Sequence, residues 1–243
     1  VLHDLSFTIP HGKVTAIIGN NGSGKSTLLK LLQGIYAPDS GRIWLGSTPV
    51  DESKPCELRR QFGYILQNNP LFSGSVRDNI AYGETCSADQ RRVEQAARLA
   101  DADGFIRQLP NGYDTEVGEL GDTLSDVGAA GALLSGGQRQ RIAIARALYI
   151  RPTYLLMDEA GASLDHRSDS AIFRTVREEL KGHTIIVVAH DMRTVMEADC
   201  IVVLNHGELE ATGTHDELLA ASPTYRDYLT KQGFPLTGEE AAK

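Results

Sequence analysis

The sequence predicts an α/β fold in which a parallel sheet carries an inserted helical subdomain. Three observations predict it. Apolar, strand-like runs alternate with helix-like segments at both ends of the 243-residue chain. The middle, from about Ser75 to Leu148, has helical spacing almost throughout. A glycine-rich loop, Gly19 to Thr27, joins the first strong strand to the first strong helix.

Taken in order, Val1 to Pro10 and Lys13 to Ile18 read as strands joined at the turn His11-Gly12. A helix from Lys25 to Gln33 follows the glycine-rich loop and stops near Gly34. Pro38-Asp39-Ser40-Gly41 is a turn, and Arg42 to Leu45 and Phe62 to Leu66 are strands. Ser87-Ala88-Asp89-Gln90 opens a helix with Ser87 as N-cap, and Val93, Ala96, Ala97 and Ala100 recur along it at helical spacing. Gly128-Ala129-Ala130-Gly131-Ala132 is a small-residue stretch that reads as a flexible loop. A second N-capped start at Ser135 leads into the helix Arg139 to Tyr149. After Pro152 the alternation returns: strand Tyr154 to Met157, helix Ser168 to Leu180, strand Thr184 to Ala189, a short helix Met192 to Glu197, and strand Ile201 to Leu204. His206-Gly207 is a hairpin turn. Two short helices follow, and Gly233 to Lys243 reads as a frayed polar tail.

Composition narrows the function classes. Hydrophobic residues are 41% and charged residues 23%, as in an ordinary globular protein. The net charge is -8, with no Lys/Arg-dense block, so a nucleic-acid surface is not expected. Cys56, Cys86 and Cys200 are scattered, with no zinc or disulfide spacing. No apolar run approaches the roughly 20 residues that span a bilayer. The chain enters a strand-like segment at Val1, without a Met, and is expected to be a piece of a longer polypeptide.

Gly19-Asn20-Asn21-Gly22-Ser23-Gly24-Lys25-Ser26-Thr27 matches G-x-x-x-x-G-K-[ST] and sits between a buried strand and a helix. Its small residues let backbone N–H groups converge on an anion, and the helix N-terminus adds partial positive charge. Lys25 reaches the outer phosphates of a nucleotide, and the Ser26 hydroxyl is a ligand for Mg²⁺. Tyr154-Leu155-Leu156-Met157-Asp158-Glu159 is an apolar strand ending in two carboxylates. Asp158 is the candidate metal residue, and Glu159 the group that orients and deprotonates a water. Ser135-Gly136-Gly137-Gln138 forms a second helix start suited to phosphate. One nucleotide cannot easily use both cradles, so the second is expected to close on a nucleotide held by another copy.

Gly19 to Thr27, Gln67, Leu134 to Gln138, Tyr154 to Glu159, Asp165 and His190 together resemble the nucleotide-binding domain of an ABC transporter, in that family's order. The resemblance implies a P-loop NTPase core with a parallel sheet, a small antiparallel β subdomain and an inserted helical subdomain. Residues 1–74 and 151–243 would form the core and 75–150 the helical subdomain. It implies ATP and Mg²⁺ as ligands, with Gln67 reaching the metal and the water. Glu159 would be the catalytic glutamate, His190 the switch histidine at the γ-phosphate, and Asp165 part of the loop linking two sites across a dimer. The implied partners are a second nucleotide-binding domain, identical or different, and transmembrane domains fused upstream. No nucleic acid is implied. The place would be the cytoplasmic face of the cell membrane, with the isolated domain soluble.

Thr115-Glu116-Val117-Gly118-Glu119 resembles the T-x-V-G-E segment of exporter-type members, which touches the coupling helices of the membrane domain. Gln67 to Ile80 resembles the exporter Q-loop run. Three features depart from the family. The aromatic residue that stacks on adenine in exporters would lie upstream of Val1, so either the sequence is cut short there or adenine binding is weakened. Leu120 to Leu133 lengthen the path to the second cradle. Met157 and Gly161 replace the commoner Leu and Thr. The alternatives are a soluble ABC-type ATPase working on nucleic acid or the ribosome, which lacks support in the charge pattern, and a regulatory module that binds without turnover, which the intact Glu159 and His190 oppose.

Overall fold

The computed structural model describes residues 1–65, 70–83, 88–118, 134–158, 166–189 and 191–234. The chain begins with β1 (Val14–Gly19), α1 (Lys25–Leu32), β2 (Trp44–Leu45), β3 (Thr48–Pro49), α2 (Pro55–Arg59) and β4 (Phe62–Ile65). Next come β5 (Gly74–Ser75), α3 (Val76–Ile80), α4 (Gln90–Leu99), α5 (Asp103–Ile106), β6 (Glu116–Val117) and α6 (Gly136–Ile150). It continues through β7 (Tyr154–Asp158), α7 (His166–Glu179), β8 (Thr184–Val188), α8 (Met192–Met196), β9 (Cys200–Asn205), β10 (Glu208–Gly213), α9 (His215–Ala221) and α10 (Pro223–Lys231). The architecture is the expected α/β one: a largely parallel sheet, small antiparallel ladders and a helical portion. Two compact units divide it, Val1–Phe62 with Gly182–Lys243, and Gly63–Lys181.

In the first unit the strand order is β10-β9-β1-β8. β1 pairs in parallel with β8, Val14 opposite Ile185, and with β9, Thr15 opposite Cys200. Every residue of β1 and β8 is buried, and all of β9 but Asn205. Continuous apolar runs are what strands covered on both faces require. The start of β1 is fixed by side chains from elsewhere. Asp199 accepts from the Val14 amide at 2.8 Å, and Thr184 from the Gly12 amide at 3.0 Å. β10 runs antiparallel to β9 through His206 and Gly207, with φ of 50° and 85°. Two consecutive left-handed residues make the tight hairpin that matches strand twist.

A register irregularity between Leu209 and Ala211 sets Glu210 apart from the ladder. Its carboxylate accepts from Ser222 Oγ at 2.6 Å, the Thr224 amide at 3.1 Å, Asn205 Nδ2 at 3.2 Å, and the Thr224 hydroxyl. Burial raises its pKa, but the donors from Ser222, Thr224 and Asn205 outweigh burial and hold it below its ordinary 4.5. A carboxylate depressed in the folded state stabilises above its unfolded pKa and loses that contribution as pH falls through the folded value. Glu210→Gln is therefore expected to flatten the acid limb of the stability curve below about pH 4.5, the ordinary carboxylate value, and urea titrations across pH 3 to 7 measure it. An acid limb identical to that of the parent protein would refute the assignment.

In the second unit β7 neighbours β4, and β5 pairs antiparallel with β6, Gly74 opposite Val117. Helices α3 and α4 both pack on α6. Val93, Ala96 and Ala97 form the buried stripe of α4. The Arg92 guanidinium lies 4.4 Å from the Tyr149 ring centroid and donates to the Tyr149 carbonyl at 3.1 Å. Arg146 donates to the Asn79 carbonyl at 2.7 Å and to Asn79 Oδ1 at 3.1 Å. Burial pushes the Arg146 pKa down to about 10. α6 ends at Arg151, left-handed with φ of 48°, before Pro152.

Two expectations need correction. Val1 to Pro10 form no strand. Leu5, Phe7 and Ile9 do alternate with exposed residues, but they are only half-buried, and Asp4 has φ of 46°. The described backbone bond from this segment runs from the His3 amide to the Gly207 carbonyl at 2.8 Å, so one-sided burial occurs there without a ladder. The N-cap of α4 is Asp89, whose carboxylate accepts from the Arg91 amide at 2.9 Å. It is not Ser87, which lies outside the described residues, as do Gly128 to Ala132 and 235–243. No helix among the described residues is long and apolar enough to cross a membrane.

Candidate phosphate-binding sites

The glycine-rich loop leaves the carboxyl end of β1 and enters α1. A Cβ at Gly19 would meet the Leu204 carbonyl oxygen and Ser23 Oγ, so β9 approaches too closely for any side chain there. Gly22 and Gly24 are left-handed, with φ of 81° and 98°. The Ser23 amide closes a turn on the Asn20 carbonyl at 3.0 Å, and the Leu28 amide bonds the Gly24 carbonyl at 2.8 Å. Gly24 caps α1 without a side chain, and no acidic residue lies in the first turn. The leading amides of α1 are thus left to an anion, with the helix dipole behind them.

Lys25 is buried at 8% exposure, and its Nζ donates to the Gly19 carbonyl at 2.7 Å and the Asn20 carbonyl at 3.1 Å. The ammonium is folded back over the loop that carries it. The Ser23 hydroxyl is buried and has no hydrogen-bond partner. An orphaned hydroxyl inside a ring of glycines fits a phosphate oxygen. Ser26 is exposed and Thr27 half-buried on the first turn of α1. A Cβ at Gly24 would run into Leu2 Cδ2, a contact that no sequence signal announced. Gly24→Ala combines that clash with a left-handed φ, at a cost of about 1–3 kcal/mol. ATP affinity is expected to fall about tenfold as the loop shifts, measured with a fluorescent ATP analogue; unchanged affinity would exclude Gly24 from the cradle.

In the second unit, Ser135 caps α6 reciprocally. Its hydroxyl accepts from the Gln138 amide at 3.2 Å, and its own amide donates to Gln138 Oε1 at 2.9 Å. The capping box is legible in S-x-x-Q, so Gln138 holds the helix start in addition to the nucleotide role expected of it. Gly136 and Gly137 sit in the first turn, with open space around Gly136. Leu134 is buried behind them and Ser135 is exposed. Asp158 is half-buried at the end of β7. Thr115, at 5% exposure, bonds the Val76 amide through its carbonyl at 3.0 Å, and Arg77 pairs with Asp114 at 2.8 Å. The Thr115 to Gly118 run is thereby laced to the start of α3.

The structure thus brings together Gly19 to Thr27 in one unit and Ser135 to Gln138 in the other. Gln67, Glu159, Asp165 and His190, with Glu119 and Leu120 to Leu133, lie outside the described residues. No cluster of three or more metal-ligating His, Cys, Asp or Glu occurs among the described residues. Taken separately, the Ser26 hydroxyl in the first unit and the Asp158 carboxylate in the second are each a hard oxygen donor, a type that fits Mg²⁺ better than a softer metal.

Comparison with known proteins agrees with this geometry. A family profile described as ABC transporter matches residues 2–162. An ATP-dependent lipid A-core flippase of Pseudomonas fluorescens (strain Pf0-1) is 42% identical over 242 residues, covering 100% of this chain and 38% of that protein. The mitochondrial ATP-binding cassette sub-family B member 10 of Mus musculus is 42% identical over 237 residues, covering 96% of this chain and 32% of its own length. Among solved structures, a bacterial Atm1-family ABC exporter with ATP bound superposes with a TM-score of 0.85 at 38% identity. That match covers 96% of this chain and 39% of the exporter chain. The chain therefore spans 32 to 39% of the length of these proteins.

Proposed function

The chain belongs to the ABC transporter family, and from that premise we propose that it is the ATP-binding and ATP-hydrolysing motor domain of an exporter. The observation that carries this is the cradle at Gly19 to Thr27, where the Lys25 ammonium is held on the Gly19 and Asn20 carbonyls beside the uncapped start of α1. On this reading residues 1–74 and 151–243 are the core, and 75–150 the helical subdomain. Two copies, or this domain and a different one, close head to tail on two ATP molecules. Each ATP lies between Gly19 to Thr27 of one domain and Ser135 to Gln138 of the other. Membrane-spanning domains of the same transporter are the partners through which closure does work, with the motor on the cytoplasmic face.

The residues divide the work. Lys25, the loop amides and the Ser23 hydroxyl bind the β- and γ-phosphates. Glu159 orients the attacking water and takes its proton, and His190 holds the γ-phosphate in line. Asp165 relays the state of one site to the other. Mg²⁺, held by Ser26, Asp158 and Gln67, supplies charge neutralisation at the phosphates when bound. The rate gain is then mainly positioning and charge stabilisation, and closure follows from stronger binding of ATP to the closed state. The soluble, non-transport reading is not favoured, because one relative is named as a lipid A-core flippase and the similar solved structure as an ABC exporter.

Phosphate release measured against protein concentration tests the reading. The rate per molecule is expected to rise with concentration, as a site shared between two domains demands. Release that is strictly proportional to protein would argue for a self-sufficient site. Tight ATP binding with no release at any concentration would make the chain a regulatory module instead.

A further inference from the structure

One contact beyond the phosphate loop ties the end of a helix to the exit of a strand. Gln232 Oε1 accepts from the Met192 amide at 3.0 Å. Gln232 is the C-cap of α10. In the neighbouring strand Gly19 ends β1, and its carbonyl holds the Lys25 ammonium at 2.7 Å. Met192 opens α8, two residues beyond His190, after β8. β1 and β8 are adjacent and parallel, Ile17 opposite Val188. The carboxyl ends of neighbouring parallel strands are where such sheets place their ligand chemistry.

The helix that carries Gln232 is itself fixed. Tyr225 and Leu229 are fully buried, and the Tyr225 hydroxyl lies 2.6 Å from His215 Nδ1. Ser222 caps the first turn by accepting from the Tyr225 amide at 3.0 Å, and Glu210 holds Ser222 and Thr224. The far end closes with the Phe234 amide on the Leu229 carbonyl at 3.0 Å, around a left-handed Gly233. A side chain on so anchored a helix presents its oxygen at a set place. At α8 the first two amides are then both satisfied, Met192 by Gln232 and Arg193 by Asp191 at 3.0 Å.

We propose that Gln232 is a positioning residue for ATP hydrolysis: it fixes the start of α8 and, through it, the segment that carries His190. The inference rests on the ATPase reading above. A merely structural α10 would lower stability and change all kinetic parameters together. A positioning role splits them, with Gln232 acting on kcat and leaving KM nearly unmoved.

The test is steady-state ATP hydrolysis and amide hydrogen exchange on the intact protein, comparing Gln232→Leu and Gln232→Glu. Gln232→Leu is expected to lower kcat about three- to tenfold, the worth of one hydrogen bond, with KM for ATP moved less than about twofold. Exchange of the Met192 amide should quicken by a similar factor. Gln232→Glu keeps an acceptor oxygen facing a helix N-terminus and should retain kcat within about twofold. Parental kinetics and exchange in Gln232→Leu would overturn the proposal. So would a Gln232→Glu as impaired as the leucine variant, or changes that simply follow melting temperature. If the parent protein hydrolyses no ATP, the ATPase reading fails by itself. Unchanged exchange at Met192 in Gln232→Leu would then overturn the positioning role separately.

Discussion

Lys25→Ala is expected to lower ATP turnover about 100- to 1,000-fold, the loss seen when one preorganised charge-stabilising group is removed. The expectation has two parts. On the proposed reading the Lys25 ammonium neutralises charge on the outer phosphates of ATP. It also bonds the carbonyls of Gly19 and Asn20, so its removal leaves two backbone acceptors without their charged donor. The variant should therefore bind ATP poorly as well as hydrolyse it slowly, and exchange at residues 19–24 should quicken. Lys25→Arg is not a rescue, because a planar fork cannot occupy the compact, buried site of an ammonium. Lys30→Ala is the control. Lys30 is exposed on the same helix, 5.4 Å from the Tyr36 ring centroid, and its loss should leave turnover unchanged. A Lys25→Ala protein that kept its parent's turnover would remove the loop from the reaction.

Glu159→Gln is expected to reduce turnover about 1,000-fold while leaving ATP affinity intact, within the range that a general base contributes. The substitution keeps the shape of the side chain and removes only its basicity. Binding and closure should then proceed without hydrolysis, and a species of doubled mass carrying ATP should accumulate. Size-exclusion chromatography with nucleotide quantification measures it. Normal hydrolysis in Glu159→Gln would assign the water to another group, and the neighbouring Asp158→Asn variant would then be the next comparison.

The two experiments draw on parts of the chain that were legible in different ways. The phosphate loop was readable because chemistry leaves it little choice. Gly22 and Gly24 need left-handed φ, and Gly19 needs the absence of a side chain. The buried strands were readable for a similar reason, since Ile185 to Val188 and Ile201 to Leu204 are apolar on both faces. Val1 to Pro10 misled because alternation reports one-sided burial, and a ladder needs a partner strand that the sequence does not name. Asp89 beats Ser87 as N-cap because either residue type fits a cap and only the backbone decides between them. The contact of Gln232 was invisible for a different reason. It joins residues 40 positions apart, Met192 and Gln232, and Gln232 belongs to no motif.

One atom of α6 carries a consequence beyond its helix. Ser135 Oγ spends a lone pair on the Gln138 amide, while a hydroxyl also owns one hydrogen. On the proposed head-to-tail reading, that hydrogen would serve a phosphate oxygen of the facing domain. Recognition of a neighbour's nucleotide and the integrity of the helix would then reside in the two halves of one O–H group. Arrival of a phosphate would tighten the cap instead of competing with it, since a hydroxyl that donates becomes a better acceptor. The same helix end that is merely stable in a lone domain would become stiffer in a pair, which gives closure a local, mechanical meaning.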